Sequence, residues 1–444
     1  MAGTQSPDNV STKQARIAKL ARTYRDQPLL TLAHHMDLEW MQRAFALTRK
    51  DGAVGVDGVT AAMYAADLDA NLLALLDRMK SGTYRAPPVR RKNIPKGDGS
   101  ETRPIGIPTF EDKVAQRAIV MLLEPIYEGE FCPFSYGFRP GHSAHQALEA
   151  LMSGVRNFNG GWVLDVDVSK FFDTLDHQQL RELLRKRVGD GVVVRMVGKW
   201  LNAGVLDGGE VQSSDLGTPQ GGVISPLLAN IYLHEVLDLW WLQEVLPRLH
   251  GRAFLVRYAD DFVVVFEDHH DALRVQEVLP KRFGKFGLTL HPTKTRLVPF
   301  RMSKGGSDDP PPGSFDFLGF THYWGKSRYG SNWPMRKTAE SRYNRAIKAL
   351  NQWMRGARHL PVEAQAKTLG QKLRGHFGYY GMAGNSRSIG RFSHFARRLW
   401  KKWLCRRSQR AYVSWEAFRR LVARYPLPSP RLSHQATKTQ LVNP

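Results

Sequence analysis

Apolar residues recur along this chain at two spacings, and the places where the spacing changes divide it into elements. Residues 1 to about 60 read as polar helices ending in the Gly/Asp-rich loop DGAVGVDGVT at 51–60. From Ala61 to Lys80, Met63, Leu68, Leu72, Leu75, Leu76 and Met79 return at helical spacing and predict one helix with one buried face. Two proline-punctuated extended runs then flank Gly97-Asp98-Gly99 within 84–109, predicting a hairpin with basic residues near its tip. GWVLDVDVSKFF at 161–172 alternates: Trp162, Leu164, Val166 and Val168 share one face, and Val163, Asp165 and Asp167 the other. GTPQGGVISPLLANIYLHEVL at 217–237 predicts a glycine-rich loop and then a helix. Its expected N-cap is Ser225, its first helical residue Pro226, and its stripe Leu227, Ile231 and His234 or Glu235.

RYADDFVVVF at 257–266 predicts a second hairpin, and short strands are expected in FGLTLHPTKTR at 286–296 and FDFLGFTHY at 315–323. Residues 301–314 read as a flexible loop, because three consecutive prolines and repeated Gly, Ser and Asp interrupt helix and sheet alike. Beyond residue 326 the spacing becomes helical. Tyr343, Ile347, Leu350 and Met354 form one stripe; Phe395, Leu399 and Trp403, with Trp400 and Leu404, form another. The residues from about 425 are expected to fray.

A chain of 444 residues with 42% apolar content suffices for two or three folded domains. Only Cys132 and Cys405 are present, which excludes a disulfide framework or a cysteine-rich zinc module and makes a reducing compartment the default. No stretch approaches the roughly 18 apolar residues of a spanning helix, and the N-terminus lacks an apolar signal region, so a cytoplasmic protein without a membrane partner is expected. Charge changes the picture more. The formal net charge is +23, and residues 326–424 hold 24 basic and 3 acidic residues, leaving the remainder nearly neutral. A one-sign block of this length repels itself unless it meets a polyanion, which with its interleaved aromatics points to nucleic acid. Trp400 and Trp403 read as core residues of these helices, although aromatics within a cationic block leave base stacking open.

Asp260 and Asp261 place two like charges at the edge of the most apolar stretch of the chain. Either they lie in a solvated turn or something positive neutralises them. If Asp167 lies on a neighbouring strand, three carboxylates converge without zinc-type ligands, which describes a hard-cation site. Two such ions about 3.5–4 Å apart promote in-line phosphoryl displacement by activating the attacking hydroxyl and stabilising the leaving pyrophosphate.

These residues lie within blocks that resemble, in order, those of group II intron reverse transcriptases: RPIGIPTFEDKVAQRAI at 103–119, FSYGFRPGHSAHQAL at 134–148, DVDVSKFFD at 165–173, GTPQGGVISPLLANIYL at 217–233 and YADD at 258–261. FDFLGF at 315–320 is similar to their last palm block and KLRGHFGYYG at 372–381 to their thumb or maturase region. The resemblance spans about residues 40 to 425. It implies an α+β right-hand polymerase: an N-terminal extension over 1–60, fingers over 61–160, a palm with an antiparallel sheet and helices over 161–325, an α-helical basic thumb/maturase region over 326–424 and a tail over 425–444.

The resemblance also assigns roles. Asp167, Asp260 and Asp261, with the main-chain carbonyl of Val168, would hold two Mg²⁺ ions, Mn²⁺ serving as a substitute. Phe172 would exclude a ribose 2′-hydroxyl, against the plain reading of a core residue. Lys96, Arg103, Gln220 and Lys294 would contact the dNTP, and Tyr258 the primer end. In the basic region Arg374, Arg397, Arg398, Lys401, Lys402, Arg406 and Arg407 would contact RNA. The partners implied are an RNA template and parent intron RNA, a DNA primer or target, and dNTPs. His142 and His145 are read as nucleic-acid contacts or helix-surface residues, and Asp165, Asp173 and Asp176 as structural or solvated.

With two distant cysteines and no clustered C-terminal histidines, no HNH-type endonuclease is expected, so a primer would come from elsewhere, such as a replication fork. The leading expectation is an RNA-directed DNA polymerase that assists splicing and retrohoming of its intron. The alternatives are an RNA-binding splicing factor with incidental polymerase activity, and a domesticated enzyme of host defence or repair. An RNA-dependent RNA polymerase shares a two-aspartate hairpin but is disfavoured by Phe172, and a nucleotide cyclase needs no long cationic segment.

Overall fold

The computed structural model describes residues 9–96, 101–207, 210–212, 221–302, 311–327, 329–408 and 410–432. The chain forms two compact units, one of Met1–Ser143 and Val166–Leu297, the other of Ala144–Asp165 and Val298–Pro444. Among the described residues no helix is long and apolar enough to cross a membrane. Elements are numbered in chain order.

In the first unit α1 (Val10–Thr23) and α2 (Leu38–Leu47) start at side-chain caps, Asn9 accepting from the Thr12 N–H and Asp37 from the Trp40 N–H. Both pack on α5 (Phe110–Tyr127), whose Val114, Ala115, Ala118, Ile119, Leu122, Leu123 and Ile126 are fully buried. The single helix expected over 61–80 is two, α3 (Ala61–Ala65) and α4 (Leu68–Ser81). Met63 is exposed while Leu72, Leu75, Leu76 and Met79 are buried, and α3 buries Ala61 and Tyr64 instead.

β1 (Val89–Lys96) and β2 (Glu101–Ile107) form the expected hairpin in the register Lys96↔Glu101 to Arg90↔Ile107; its tip, 97–100, lies outside the described residues. β1 also pairs in parallel with β5 (Val205–Asp207), which pairs antiparallel with β6 (Glu210–Gln212), giving the order β2-β1-β5-β6. The strand expected over 161–172 is divided: β3 (Gly160–Val166) ends before Asp167, and β4 (Val168–Ser169) pairs with β9 (Thr289–Leu290). Lys170, at φ 47°, then turns the chain into the one-turn helix α7 (Phe171–Thr174).

Two further helices, α8 (His177–Arg185) and α9 (Gly191–Leu201), each begin at an aspartate. Asp176 accepts from the Gln179 N–H, and Asp190 from those of Val192 and Val193. In α10 (Ser225–Leu233) Ser225 is the first helical residue rather than the cap, and Pro226 follows it. The cap position belongs to buried Ile224, whose N–H donates to the Gln116 amide oxygen at 3.3 Å, so packing rather than a hydroxyl fixes the helix entry. The backbone then widens into π-helical turns over His234–Asp238 and Trp241–Val245. β7 (Ala253–Tyr258) and β8 (Asp261–Phe266) form the second hairpin, and α11 (His269–Gly284) packs on β8, with the Phe262 and Phe283 rings 6.0 Å apart.

The second unit holds α6 (Ala144–Asn157), β3 beside β10 (Arg296–Arg301), and an antiparallel sheet of β11 (Phe315–Phe317), β12 (Phe320–Lys326) and β13 (Asn332–Thr338). FDFLGFTHY is therefore a hairpin and not one strand; Leu318 and Gly319, at φ 48° and 81°, make the tight turn. Helix begins only at Glu340, because β13 intervenes, and continues as α12 (Glu340–Ala357), α13 (Val362–Tyr380), α14 (Ser386–Leu404) and α15 (Trp415–Arg424). Their common core contains Leu350, Met354, Leu369, Phe377, Phe392 and Trp400. On α14 the buried stripe runs Ile389, Phe392, Ala396, Trp400, Trp403, which leaves the expected Phe395 exposed. The Trp400 indole N–H donates to Gln365 and that of Trp403 to Asn351, so both tryptophans are core residues with their polar edges satisfied.

Candidate active site

Tyr258 and Asp261 close the β7–β8 ladder, leaving Ala259 and Asp260 as a two-residue turn. Ala259 is buried with φ at 55°, a conformation that costs a non-glycine residue on the order of 1 kcal/mol or more and persists only where its surroundings enforce it. The enforcement comes from segment 134–138. A Cβ on Gly137 would stand 2.2 Å from the Ala259 nitrogen and 2.9 Å from the Tyr258 carbonyl carbon, so only glycine lets the two backbones meet. The Tyr136 N–H donates to the Arg257 carbonyl and the Arg257 N–H to that of Phe134, both at 2.9 Å.

The Arg257 side chain completes the clamp from beneath. Fully buried, it grips both carboxylate oxygens of equally buried Asp238 and donates to the Asn230 side-chain oxygen (3.0 Å) and the Ala259 carbonyl (3.2 Å). Asn230 in turn donates to the Gly137 carbonyl at 2.6 Å. Burial alone would raise the Asp238 carboxyl, but the Arg257 guanidinium and His234 hold it below the ordinary carboxylate range. π-helical turns are frequent at functional sites, and here one carries Asp238.

Around this turn Asp260 is partly buried and Asp261 exposed. Burial raises the Asp260 carboxyl above its ordinary value; its own backbone N–H and Arg103 oppose that shift, whereas the charge of Asp167 adds to it. Asp167 sits between β3 and β4, its main-chain carbonyl accepting the His291 N–H at 2.7 Å and its carboxylate accepting Lys294 Nζ at 2.8 Å. Lys294 thus neutralises Asp167 in this state. Val168 is buried opposite Leu290, Tyr258 is partly buried with its ring 6.5 Å from that of Phe138, and buried Phe172 lies edge-on to Phe171 at 5.3 Å. Arg103 is exposed on β2. Lys96 ends β1 and pairs with Glu101, whereas Gln220 lies outside the described residues. Its neighbour Gly221, at φ 123°, rests on β2, where a Cβ would come within 2.5 Å of the Gly106 carbonyl oxygen.

Three carboxylates of which one is desolvated beside another suit a hard divalent cation, whose charge relieves both burial and repulsion. Among the described residues two tighter triads lie elsewhere and suit one less. In Cys132, His234 and Asp238 the carboxylate is held by Arg257; in Asp268, His270 and Asp271 the Asp271 carboxylate accepts the His250 and Gly251 N–H groups.

In the second unit Arg374, Arg397, Arg398, Lys402 and Arg406 are exposed. The Lys401 ammonium lies 5.6 Å from the Tyr412 ring centroid and 4.7 Å from that of Trp415. Arg407 differs from its neighbours, donating to the carbonyls of Arg358 and Leu360 and so tying down the connection between α12 and α13. His142 and His145 do not pair: the first ring meets the Pro140 carbonyl and the second that of Tyr379. Sequence reasoning missed Arg257, Asp238, Asn230 and Gly137. The available signal was an arginine within a valine-rich strand, on the same face as buried Leu255.

The family described as reverse transcriptase (RNA-dependent DNA polymerase) matches residues 94–322, more than half of the chain, and the group II intron maturase-specific domain matches residues 343–422. Protein YkfC of Escherichia coli is 34% identical over 360 residues, 72% of this chain and 90% of that protein. Group II intron-encoded protein LtrA of Lactococcus lactis is 44% identical over 170 residues, 38% of this chain and 28% of LtrA. A 91 kDa protein in the cob intron of Schizosaccharomyces pombe is 30% identical over 278 residues, 50% of this chain and 34% of that protein. The chain thus spans about a third or less of the two intron proteins.

The chain belongs to the reverse transcriptase family: it is an RNA-directed DNA polymerase of α+β fold that depends on a divalent metal and acts on RNA. Within that family it carries the maturase-specific domain of group II intron proteins, which assists intron splicing.

Proposed function

We propose that this chain copies RNA into cDNA at the β7–β8 turn and uses α12–α15 to bind its parent intron RNA, promoting splicing and retrohoming. The observation that carries the reading is Asp260, a carboxylate held by an enforced backbone turn, partly buried, and within the fields of both Asp167 and Arg103. Asp167, Asp260 and Asp261, with the Val168 carbonyl, would hold two Mg²⁺ ions, Asp260 as the central ligand. When bound, such ions activate the primer 3′-hydroxyl for attack on the α-phosphorus and stabilise the departing pyrophosphate.

The remaining side chains bind and orient. Arg103 directs positive charge toward the turn and is suited to triphosphate oxygens, as Lys96 would be from β1. Lys294 pairs with Asp167 here and, with that carboxylate given to a metal ion, would be available to phosphate. Phe172 offers a rigid apolar surface that excludes a 2′-hydroxyl, Tyr258 supports a DNA primer end, and Gln220 would face the nascent pair. Fingers over 61–160, palm over 161–325 and thumb over 326–424 would be the functional division. The exposed cations of α14 hold RNA phosphates; Arg407 contributes chiefly by fixing the helix connection. A cytoplasmic protein fits this role.

Asp260→Ala tests the reading. cDNA synthesis should fall by on the order of 10³-fold or more, measured on a homopolymer RNA template with a DNA primer, while intron RNA affinity stays unchanged. Retained synthesis would remove Asp260 from the metal site. Splicing that survives the change supports a binding role independent of polymerisation.

A further inference from the structure

The first unit contains a groove of about 820 Å³ between α8, α9 and the segment leading into β1. Five cations line it: Arg85 before the strand, Arg181 and Arg185 on α8, and Arg195 and Lys199 on α9. Each helical pair is spaced i, i+4, so each helix presents a row of positive charge about 6 Å apart along its axis. The acidic groups nearby are engaged elsewhere. Glu182 accepts from Gln178, and Asp190 accepts four backbone N–H groups, from Leu32, Ala33, Val192 and Val193. The other two cations of this stretch have carboxylate partners, Lys186 with Glu235 and Arg187 with Glu130. No ion pair with a carboxylate is recorded for any of the five among the described residues. Arg195 and Lys199 instead donate to carbonyls at the end of α4, of Lys80 for the first and of Gly82 and Tyr84 for the second, which orders their side chains and leaves their charge uncompensated.

We infer that this groove is a second RNA-binding site, one that holds phosphates of structured RNA away from the β7–β8 turn. The inference rests on the RNA-binding reading above but concerns a different surface from the basic helices of the second unit. The lining favours RNA over a protein partner. Its aromatic residue, Tyr84, is almost completely buried, so it presents neither the aromatic anchor of a protein hot spot nor a stacking platform for bases. Open space lies beside Gly191, and cations on three elements suit phosphates read without sequence preference. Net charge conceals the site, because the carboxylates that balance these cations in the count are bonded elsewhere.

The test uses the full chain with Arg85→Gln and Arg185→Gln together, two side chains that make no hydrogen bonds among the described residues, and with the charge-reversing pair R85E and R185E. The probe is a labelled hairpin-rich RNA transcript titrated across a range of KCl concentrations. Each lost phosphate contact should reduce the slope of log affinity against log salt by about 0.7 to 0.9. The reversed pair should weaken binding further at every salt concentration. Synthesis on poly(rA) with an oligo(dT) primer should keep its kcat and KM, which also reports a folded enzyme. If the double variants fail to fold, Arg185→Gln alone is read for the loss of one contact. An unchanged slope overturns the inference, and an unchanged slope with altered self-association assigns the groove to protein contact instead. Asp260→Ala in parallel separates the two readings: it abolishes synthesis, whereas groove binding persists.

Discussion

At the β7–β8 turn the acidic chemistry rests on one buried guanidinium, whereas the 24 cations of residues 326–424 are spread along strand, loop and four helices. In the first region a chain of named hydrogen bonds runs from Asp238 through Arg257 and Asn230 to Gly137, and the turn's geometry rests on it. In the second region the core is apolar and the exposed cations on α14 are bonded to little or nothing. Catalysis needs carboxylates positioned within a fraction of an ångström, which a satisfied buried network supplies. Holding a polyanion needs summed charge, in which no single residue is indispensable. The two regions should therefore respond differently to the loss of one side chain.

The largest effect is expected at Arg257. Arg257→Met leaves the Asp238 charge in a dry interior with only His234 to pair with among the described residues, a loss of about 3–5 kcal/mol measurable by denaturant unfolding. Because the Ala259 carbonyl also loses its donor, synthesis should fall and its half-saturating Mg²⁺ concentration should rise, while affinity for RNA does not. Replacing Asp238 by Leu in the same chain should restore part of the stability without restoring the Mg²⁺ requirement. If stability and Mg²⁺ dependence recover together, the clamp is structural only and the contrast with the basic helices weakens.

Phe172 sharpens the same contrast within the palm. Phe172→Ala removes a buried ring and should cost about 3–5 kcal/mol if packing were its whole role. As a gate it should also raise incorporation of ribonucleotides relative to deoxynucleotides by roughly tenfold or more. Destabilisation without a change in that ratio would reduce Phe172 to a core residue.

A pH dependence is expected from α5, in the unit that holds the β7–β8 turn. Asp112, buried in α5, accepts hydrogen bonds from the Tyr84 hydroxyl, the Trp200 indole and the Gln116 amide, and Gln116 holds the Ile224 N–H at the entry to α10. Burial raises its carboxyl from 3.8 to about 6. The folded state therefore retains a proton that the unfolded chain has released. The Asp112 contribution to stability should be fully present below about pH 4, fall by on the order of 3 kcal/mol as pH rises to about 6, and then level off. Asp112→Asn keeps the acceptor for Tyr84 and Trp200 and should flatten that segment of the unfolding profile. A slope that survives the substitution assigns the dependence to other groups.

Much of this was legible in the sequence because periodicity and turn chemistry are local. The β1–β2 hairpin, the YADD hairpin and the α12 stripe follow from spacing within a dozen residues. What was not legible depended on residues far apart. FDFLGF folds back at Leu318 because a leucine adopts positive φ, which no propensity favours. Ser225 lost the cap position to Ile224 because a distant glutamine takes the Ile224 N–H. The metal-type aspartates stood out as adjacent charges beside valines. Their support did not, since an arginine in RYADD reads as surface until Asp238 and Asn230 are brought under it.

The smallest effect should come from one cation of α14. Arg397 is exposed, and removing it deletes at most one phosphate contact. Arg397→Gln should therefore lower the salt slope of intron RNA binding by about 0.7 to 0.9 and leave synthesis on a short template unchanged. Arg407→Gln, by contrast, also leaves the Arg358 and Leu360 carbonyls with Gln365 as their donor and should lower the unfolding temperature of the second unit as well as the slope. Comparing the two separates charge from architecture within the basic helices. If Arg397→Gln destabilises as much as Arg407→Gln, then the exposed cations are structural, and the basic region resembles the clamped turn more than its composition suggests.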